Sequence, residues 1–188
     1  SLTYYPYFDG LSGNYLNNPA DINPEPKRGR IDLSDNFLFS EDVYGNHLNL
    51  KLRPSKYFYL QVDYIALIEK TPTEKGLSGL NLYNFNFCYD RLRFNKFNLG
   101  WMMGVNYVAS GVGKAGFTYG LNMEAFLQKN ISLYTFFKGS KINGNTLNQL
   151  EIQGRFHMNR FFISPGYEMI QIGSSYFHFI AVGSGVYF

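Results

Sequence analysis

Residues 57–69 read YFYLQVDYIALIE, and this stretch decides the fold because apolar and polar side chains alternate along it with a period of two. One side carries Phe58, Leu60, Val62, Tyr64, Ala66 and Ile68, and the other carries Tyr59, Gln61, Asp63 and Glu69. A period of two is that of a β-strand whose two faces meet different surroundings. One face of this predicted strand is wholly apolar.

The same alternation recurs from Arg30 to the end of the chain, with turn signals between the segments. It predicts strands near residues 30–40, 44–53, 57–69, 77–90, 97–108, 116–128, 131–140, 146–157, 160–170 and 176–188. Several segments reach about 11–13 residues, which is longer than the usual soluble strand of about 5–6 and close to the ~9–11 that cross a bilayer at a tilt. The apolar faces also carry aromatic residues near their ends, as the interfacial girdles of membrane barrels do.

The connections between the predicted strands alternate in length. Residues 54–56, 129–130 and 158–159 form short turns, whereas 70–76, 109–115 and 140–145 form longer loops. Transmembrane barrels show this alternation between their periplasmic and outer ends, although 91–96 is longer than its class should be. Within 77–90, Leu80 and Leu82 fall out of phase with the aromatic residues that follow, which predicts a bulge.

These patterns predict an all-β fold, a transmembrane antiparallel up-and-down β-barrel of about ten strands over residues 30–188. The even total requires 30–40 to be a strand, and eight strands are the alternative. Residues 1–29 hold four of the seven prolines and cannot form regular strands, so they are predicted to be an irregular arm or plug. The aromatic residues of this arm make it a candidate docking segment: Tyr4, Tyr5, Tyr7 and Phe8.

Composition excludes several classes of protein. A chain of 188 residues is sized for one domain, and its net charge of +3 forms no basic stripe of the kind that binds nucleic acid. The single cysteine, Cys88, excludes an intrachain disulfide and a cysteine-rich metal site, and no cofactor is expected. The chain begins at Ser1 without Met, which is what removal of a secretory signal peptide leaves and equally what trimming leaves.

The last predicted strand, YFHFIAVGSGVYF at residues 176–188, resembles the C-terminal strand of bacterial outer-membrane β-barrel proteins. The resemblance rests on the terminal Phe188 and on apolar residues alternating behind it, namely Val186, Val182 and Ile180. It implies location in a Gram-negative outer membrane and contact with lipid and lipopolysaccharide. It also implies that Val186 and Phe188 belong to the signal read by the outer-membrane assembly machinery.

If the apolar faces meet lipid, the opposite faces converge in the lumen. The predicted charge network of the lumen consists of Lys51, Arg53, Asp63, Glu124, Lys138, Glu151, Arg155 and Glu168, joined by Gln61, Asn84 and Asn86. Charges in so narrow a lumen must be paired and hydrogen-bonded, so structural pairing is the first interpretation. A proton or ion path and a catalytic carboxylate are the alternatives.

The three histidines offer little chemistry at the level of sequence. His157 is expected beside a periplasmic turn, and His178 is expected to point outward at headgroup level. His47 with Ser40, Glu41 and Asp42 forms the one candidate cluster near the outer rim. No catalytic residue is assigned, and the histidines are too scattered in sequence for a metal site.

Three functions therefore stand at this stage. The first is a non-enzymatic structural or accessory barrel that docks a larger outer-membrane complex. The second is a narrow channel or carrier for a small or apolar solute. The third is a lipid-modifying hydrolase, which would need a nucleophile and a base close together near the outer rim.

Overall fold

The computed structural model describes residues 30–55, 57–69, 78–94, 96–109, 113–128, 130–142, 144–158 and 160–188. The candidate docking arm at residues 1–29, with Tyr4, Tyr5, Tyr7 and Phe8, lies outside the described residues. No helix in the described ranges is long and apolar enough to span a membrane.

Ten antiparallel strands form one closed barrel. They are β1 (Arg30–Phe39), β2 (Val43–Arg53), β3 (Phe58–Glu69), β4 (Ser78–Phe94), β5 (Phe97–Val108), β6 (Lys114–Gln128), β7 (Ile131–Ile142), β8 (Asn145–Met158), β9 (Phe161–Ile172) and β10 (Ser175–Tyr187). Each strand pairs with its neighbours in the chain, and β1 pairs with β10. The prediction of ten strands rather than eight is confirmed, with the strand at 30–39 in place.

The seam between β1 and β10 removes every edge from the sheet. Its register runs from Asp32 opposite Tyr187 to Phe39 opposite Ile180. At the end of the seam, Ile31 and Phe188 exchange two backbone hydrogen bonds of 3.1 and 2.8 Å. Phe188 thus belongs to the closing ladder, so the backbone of the strand that is predicted to carry the assembly signal also completes the barrel.

The two faces of the sheet have opposite chemistry. Large apolar side chains project outward, with Leu60 48% exposed and Leu121 57% exposed, while polar side chains such as Asp63 and Gln61 are fully buried inside. A soluble protein buries the apolar face instead, because removing apolar surface from water drives its folding. The inverted arrangement is that of a barrel whose outer solvent is lipid.

The interior changes character along the barrel axis. We call the end that holds Arg30 and Phe188 the terminal end and the opposite end the loop end. An apolar layer fills the interior at the loop end and consists of Leu38, Val43, Ile65, Leu67, Leu82, Val108, Ile142, Leu147, Ile170, Phe179 and Ala181. The prediction of a polar interior is therefore wrong for this end, because strand alternation reports a contrast between faces and vanishes where both faces are apolar.

The bulge predicted within 77–90 is also misplaced. β4 pairs with β3 in uninterrupted register from Ser78 to Tyr89, and Leu80 and Leu82 point into the apolar layer. The irregularity lies further along β4, between Asp90 and Leu92, where its register with β5 shifts. Leu80 and Leu82 therefore keep the phase of the strand and are apolar because their end of the lumen is dry.

Two connections are shorter than the sequence predicts. β7 continues to Ile142 and β8 begins at Asn145, so the loop expected at 140–145 is a tight turn in which Gly144 has φ 82°. A positive φ of this size favours glycine, which has no Cβ to clash. β4 likewise extends to Phe94, which reduces the anomalous connection at 91–96 to residues 95 and 96.

Candidate functional site

Asp63 is the hub of a central charged layer, which we define as His47, Asp63, Lys138, Glu151 and Glu168. The Nζ atom of Lys138 donates a 2.7 Å hydrogen bond to Asp63 Oδ2, which joins β7 to β3 across the lumen. Four further donors surround the same carboxylate, from Asn49, Gln61, Asn86 and the ring of His47. Such a fully bonded carboxylate offsets the cost of burying its charge.

His47 lies between three carboxylates. Its Nε2 atom is 3.3 Å from Asp63 Oδ1, and its Nδ1 atom is 3.1 Å from Glu168 Oε2 and 3.5 Å from Glu151 Oε2. The ring is fully buried. The predicted outer cluster of His47 with Ser40, Glu41 and Asp42 is therefore wrong, because those three residues lie in the turn after β1 while His47 points into the lumen.

The carboxylate pair opposite His47 comes from two adjacent strands. Glu151 of β8 and Glu168 of β9 are directly paired in register, so both side chains point inward at the same height. Glu168 Oε1 accepts a 2.6 Å hydrogen bond from Gln149 Nε2. Oε2 of Glu151 accepts no hydrogen bond from any described residue although Glu151 is only 2% exposed.

A second charged layer lies nearer the terminal end and combines ion pairs with aromatic rings. We define this terminal layer as Arg30, Asp32, Lys51, Arg53, Asp90, Glu124 and Arg155. Arg30 Nε lies 2.5 Å from Asp32 Oδ1. Arg53 contacts two carboxylates: its Nε atom lies 3.2 Å from Asp32 Oδ2, and its Nη1 atom lies 3.4 Å from Asp90 Oδ2. Arg155 Nη1 lies 3.7 Å from Glu124 Oε1.

Aromatic rings hold the cations of the terminal layer from the side. Lys51 Nζ and Arg155 Cζ each lie 4.0 Å from the centroid of the Tyr134 ring. Arg53 lies 3.9 Å from the centroid of the Tyr59 ring. A cation over a ring face is attracted by the ring quadrupole, and the attraction grows where water is absent.

Charges of both signs nearly balance among the described interior residues. Five cations face six carboxylates: Arg30, Lys51, Arg53, Lys138 and Arg155 against Asp32, Asp63, Asp90, Glu124, Glu151 and Glu168. All eight charged residues predicted for the lumen are among them. The structure adds Arg30, Asp32, Asp90 and His47. Their inward parity was readable along the strands, but the sequence left the first strand open, Asp90 lies beside the register shift of β4, and His47 lies near a polar turn.

One serine–histidine contact lies inside the barrel. Ser132 Oγ donates to Glu124 Oε1 at 3.1 Å and lies 2.8 Å from His157 Nε2, while the Tyr187 hydroxyl lies 3.2 Å from His157 Nδ1. Because the serine proton is already given to Glu124, His157 donates to Ser132 rather than activating it. Ser132 is fully buried, so no lipid carbonyl reaches it.

The third histidine and the residues of the predicted assembly signal lie on the outside, whereas Asn84 and Cys88 are buried in the interior. His178 is exposed, and its Nδ1 atom is 2.5 Å from the Tyr167 hydroxyl. Phe188 is 55% exposed and lines a groove of about 500 Å³ with Ile31, Leu52 and Leu60. Val186 stands opposite Leu33 across the closing seam.

No protein-family model and no curated protein matches the sequence. Among solved structures, an outer membrane channel from Pseudomonas putida F1 aligns with 91% of this chain and 99% of its own, at 8% identity and a TM-score of 0.47. The N-terminal β-barrel domain of OprF from Pseudomonas aeruginosa aligns with 85% of this chain and 96% of its own, at 12% identity and a TM-score of 0.38. By its own geometry, a closed antiparallel barrel of even strand number with an apolar outside and an ion-paired inside, the chain has the architecture of a transmembrane β-barrel of the outer-membrane type.

Proposed function

We propose that this protein is a sealed barrel that conducts no solute and serves as a structural or docking component of an outer-membrane complex. The observation that carries the proposal is the filling of the lumen. His47, Asp63 and Glu168 are fully buried, and the apolar layer covers them from the loop end. A conducting pore of this diameter would need a continuous path of water past these side chains.

Planar-bilayer recording separates the sealed barrel from a channel. The purified full chain should produce no steady current above that of the bare bilayer, because paired charges and packed apolar side chains leave no ion path. A porin inserted into the same bilayer serves as the positive control. Reproducible current steps from the wild-type chain would establish the channel alternative and overturn this part of the proposal.

A polar patch in the lipid-facing band supports the docking role. Asp35 is the sixth of the ten residues of β1 and points outward, so its carboxylate lies near mid-height of the barrel wall. Asn46 Nδ2 donates a 2.7 Å hydrogen bond to it, and Ser184 stands opposite it across the seam. Polar and ionisable groups facing lipid at this depth are costly and mark functional contacts.

The patch fits a transmembrane segment of a partner that carries hydrogen-bond donors. A groove of about 220 Å³ runs beside Asp35 and is lined mainly by Leu33, Leu48, Phe161 and Val186. Apolar walls with one carboxylate that pairs with no cation of the described residues suit a partner that is apolar except for a basic or hydroxyl side chain. A second copy in a symmetric contact would bring two carboxylates together, which is unfavourable.

Site-specific photocrosslinking in native membranes tests this docking surface. A photoreactive residue at Leu48 should give a protein crosslink that disappears when Asp35 and Asn46 are both changed to Leu. The matched control is the same probe at Leu121 of β6, on the opposite wall and beside another groove of about 440 Å³. Crosslinks that are equal at both positions, or that survive the double change, would contradict docking at the patch.

The arm at residues 1–29 offers a second route to the same role. Deleting residues 2–26 should reduce the partners recovered by detergent pull-down if the arm contributes to docking. Unchanged recovery from the deleted chain would confine docking to the barrel wall. Incubation of the purified protein with lipopolysaccharide should release no acyl chains, because Ser132 and His157 are buried and wrongly bonded for catalysis.

A further inference from the structure

The centre of the barrel brings one imidazole and two carboxylates to the spacing of metal ligands. Single ligand atoms of His47, Glu151 and Glu168 all lie within 4.8 Å of one another. His47 Nδ1 is 3.1 Å from Glu168 Oε2 and 3.5 Å from Glu151 Oε2. A metal ion with bonds of about 2.0–2.2 Å holds neighbouring ligand atoms about 3.0–3.5 Å apart. From this geometry we infer that His47, Glu151 and Glu168 bind a divalent first-row transition metal ion.

An unsatisfied carboxylate oxygen points independently to a missing cation. Oε2 of Glu151 accepts no hydrogen bond from the described residues, although the side chain is almost fully buried. Its nearest cationic group is the His47 ring at 3.5 Å. Glu168 stands directly opposite it on β9, and like charges directly opposite each other destabilise a sheet. A cation bound between them satisfies the oxygen and removes the repulsion.

The charges that surround the site favour a divalent ion. Lys138 neutralises Asp63 through the 2.7 Å contact, so Asp63 adds no net charge to the centre. Glu151 and Glu168, when both are ionised, then place two negative charges around one imidazole. A proton on His47 compensates one of these charges, whereas a divalent ion compensates both.

Neighbouring groups orient the ligands as they do in known metal sites. Asp63 Oδ1 lies 3.3 Å from His47 Nε2, so a neutral ring with its proton on Nε2 would bond Asp63 and present the lone pair of Nδ1 to a metal between the two glutamates. A carboxylate behind a ligating histidine is the common second-shell arrangement. Gln149 fixes Glu168 through Oε1 and leaves Oε2 toward the centre.

The donor set narrows the class of metal. One nitrogen and two carboxylate oxygens suit Zn²⁺, Co²⁺, Mn²⁺ or Fe²⁺, whereas Mg²⁺ and Ca²⁺ prefer oxygen alone and Cu⁺ prefers sulfur. The ligands come from β2, β8 and β9. The ion therefore ties β2 to the β8–β9 pair across the buried interior.

Metal content after refolding tests the inference. The full chain is refolded into detergent micelles in the presence of Zn²⁺, so that the ion is available before the barrel closes, and is then dialysed exhaustively against metal-free buffer. The wild type should retain about one zinc per chain by elemental analysis. Refolding with Co²⁺ should give visible ligand-field absorption bands, because cobalt reports its coordination directly.

Isosteric variants assign the metal to this site. Glu151→Gln combined with Glu168→Gln should lower the bound zinc at least tenfold, and His47→Gln should abolish the cobalt bands. Glu124→Gln from the terminal layer and His157→Gln beside that layer are matched controls and should keep both signals. Closure of every variant is checked by its faster migration in detergent gels when unboiled.

Two results would overturn the inference. Wild-type protein refolded with zinc that carries less than about a tenth of an equivalent after dialysis has no such site. Full retention of zinc in closed His47→Gln and in the closed double glutamine variant would move the metal elsewhere. If the variants fail to close, the stoichiometry and cobalt spectrum of the wild type decide the matter alone.

Discussion

The apolar layer at the loop end and the central charged layer fill the same lumen by different means. In the apolar layer, residues such as Leu82 and Phe179 contribute separately to a dry cluster. In the central layer, Asp63 accepts hydrogen bonds from donors on β2, β3, β4 and β7. The apolar layer should therefore lose stability roughly in proportion to the volume removed, whereas the charged layer should fail as a unit.

The largest expected effect is the loss of Asp63. Asp63→Leu leaves Lys138 without its carboxylate and strips an acceptor from His47, Asn49 and Gln61, which should lower the free energy of unfolding by about 3–5 kcal/mol. The change is measured by urea unfolding in detergent micelles, followed by the fluorescence of Trp101, the single tryptophan.

A double-mutant cycle sharpens this prediction. Lys138→Met is the second single variant, and the double variant should be more stable than the sum of the two single losses implies, by at least about 1 kcal/mol. If the stability losses of the two single variants simply add, the central charged layer does not act as a unit and does not differ from the apolar layer in this respect.

The next effect in size concerns the apolar layer. Leu82→Ala removes three buried carbons and leaves a cavity, so it should cost about 3–4 kcal/mol. Leu121→Ala on the lipid face loses the same atoms from an apolar solvent but leaves no cavity, because lipid fills the space, and should cost about 2 kcal/mol. The same unfolding assay compares them. Equal losses would indicate that the loop end is loosely packed.

The smallest effect concerns the aromatic support of the terminal layer. Tyr134→Leu removes the ring shared by Lys51 and Arg155 and should cost about 1–2 kcal/mol. Tyr134→Phe is the matched control, because it keeps the ring and deletes a hydroxyl that has no hydrogen-bond partner among the described residues. The control should be neutral or slightly stabilising in the same assay. A phenylalanine variant as unstable as the leucine variant would remove the cation–ring explanation.

Most of the strand positions could be predicted from the sequence, because lipid imposes one strict rule on every second residue. The rule placed β3 and β5 within one residue of the structure, and it turned Asp63, Glu151 and Glu168 inward. The rule failed where the inward side chains are apolar as well, because the contrast between an apolar outer face and a polar inner face of the strand is then missing. At Leu80 and Leu82 the inward side chains of β4 are apolar while Asn81 between them faces outward, and the sequence analysis mistook a dry interior for a bulge.

The contacts within the site could not be predicted, because they depend on the register of a closed sheet. His47 and Glu168 meet across 121 residues of chain, and nothing in either local sequence points to the other. His47 shows a different failure. Its parity with Asn49 and Lys51 on β2 placed it inside, but its nearness to the polar turn at 40–42 suggested a rim cluster. The pleat of a strand alternates side chains between its two faces along its whole length. The face of the His47 side chain is therefore set by its position in β2 rather than by the polar residues next to it in sequence.

The bond between Asp63 and Lys138 has a consequence for how the barrel forms. Its two ends lie 75 residues apart, and they meet only when β3 and β7 face each other across a curled sheet. A half-assembled sheet in the bilayer would hold these charges bare against hydrocarbon, which is strongly unfavourable. Partly closed intermediates are thus penalised by their own interior, and we expect insertion and closure to proceed as one cooperative event.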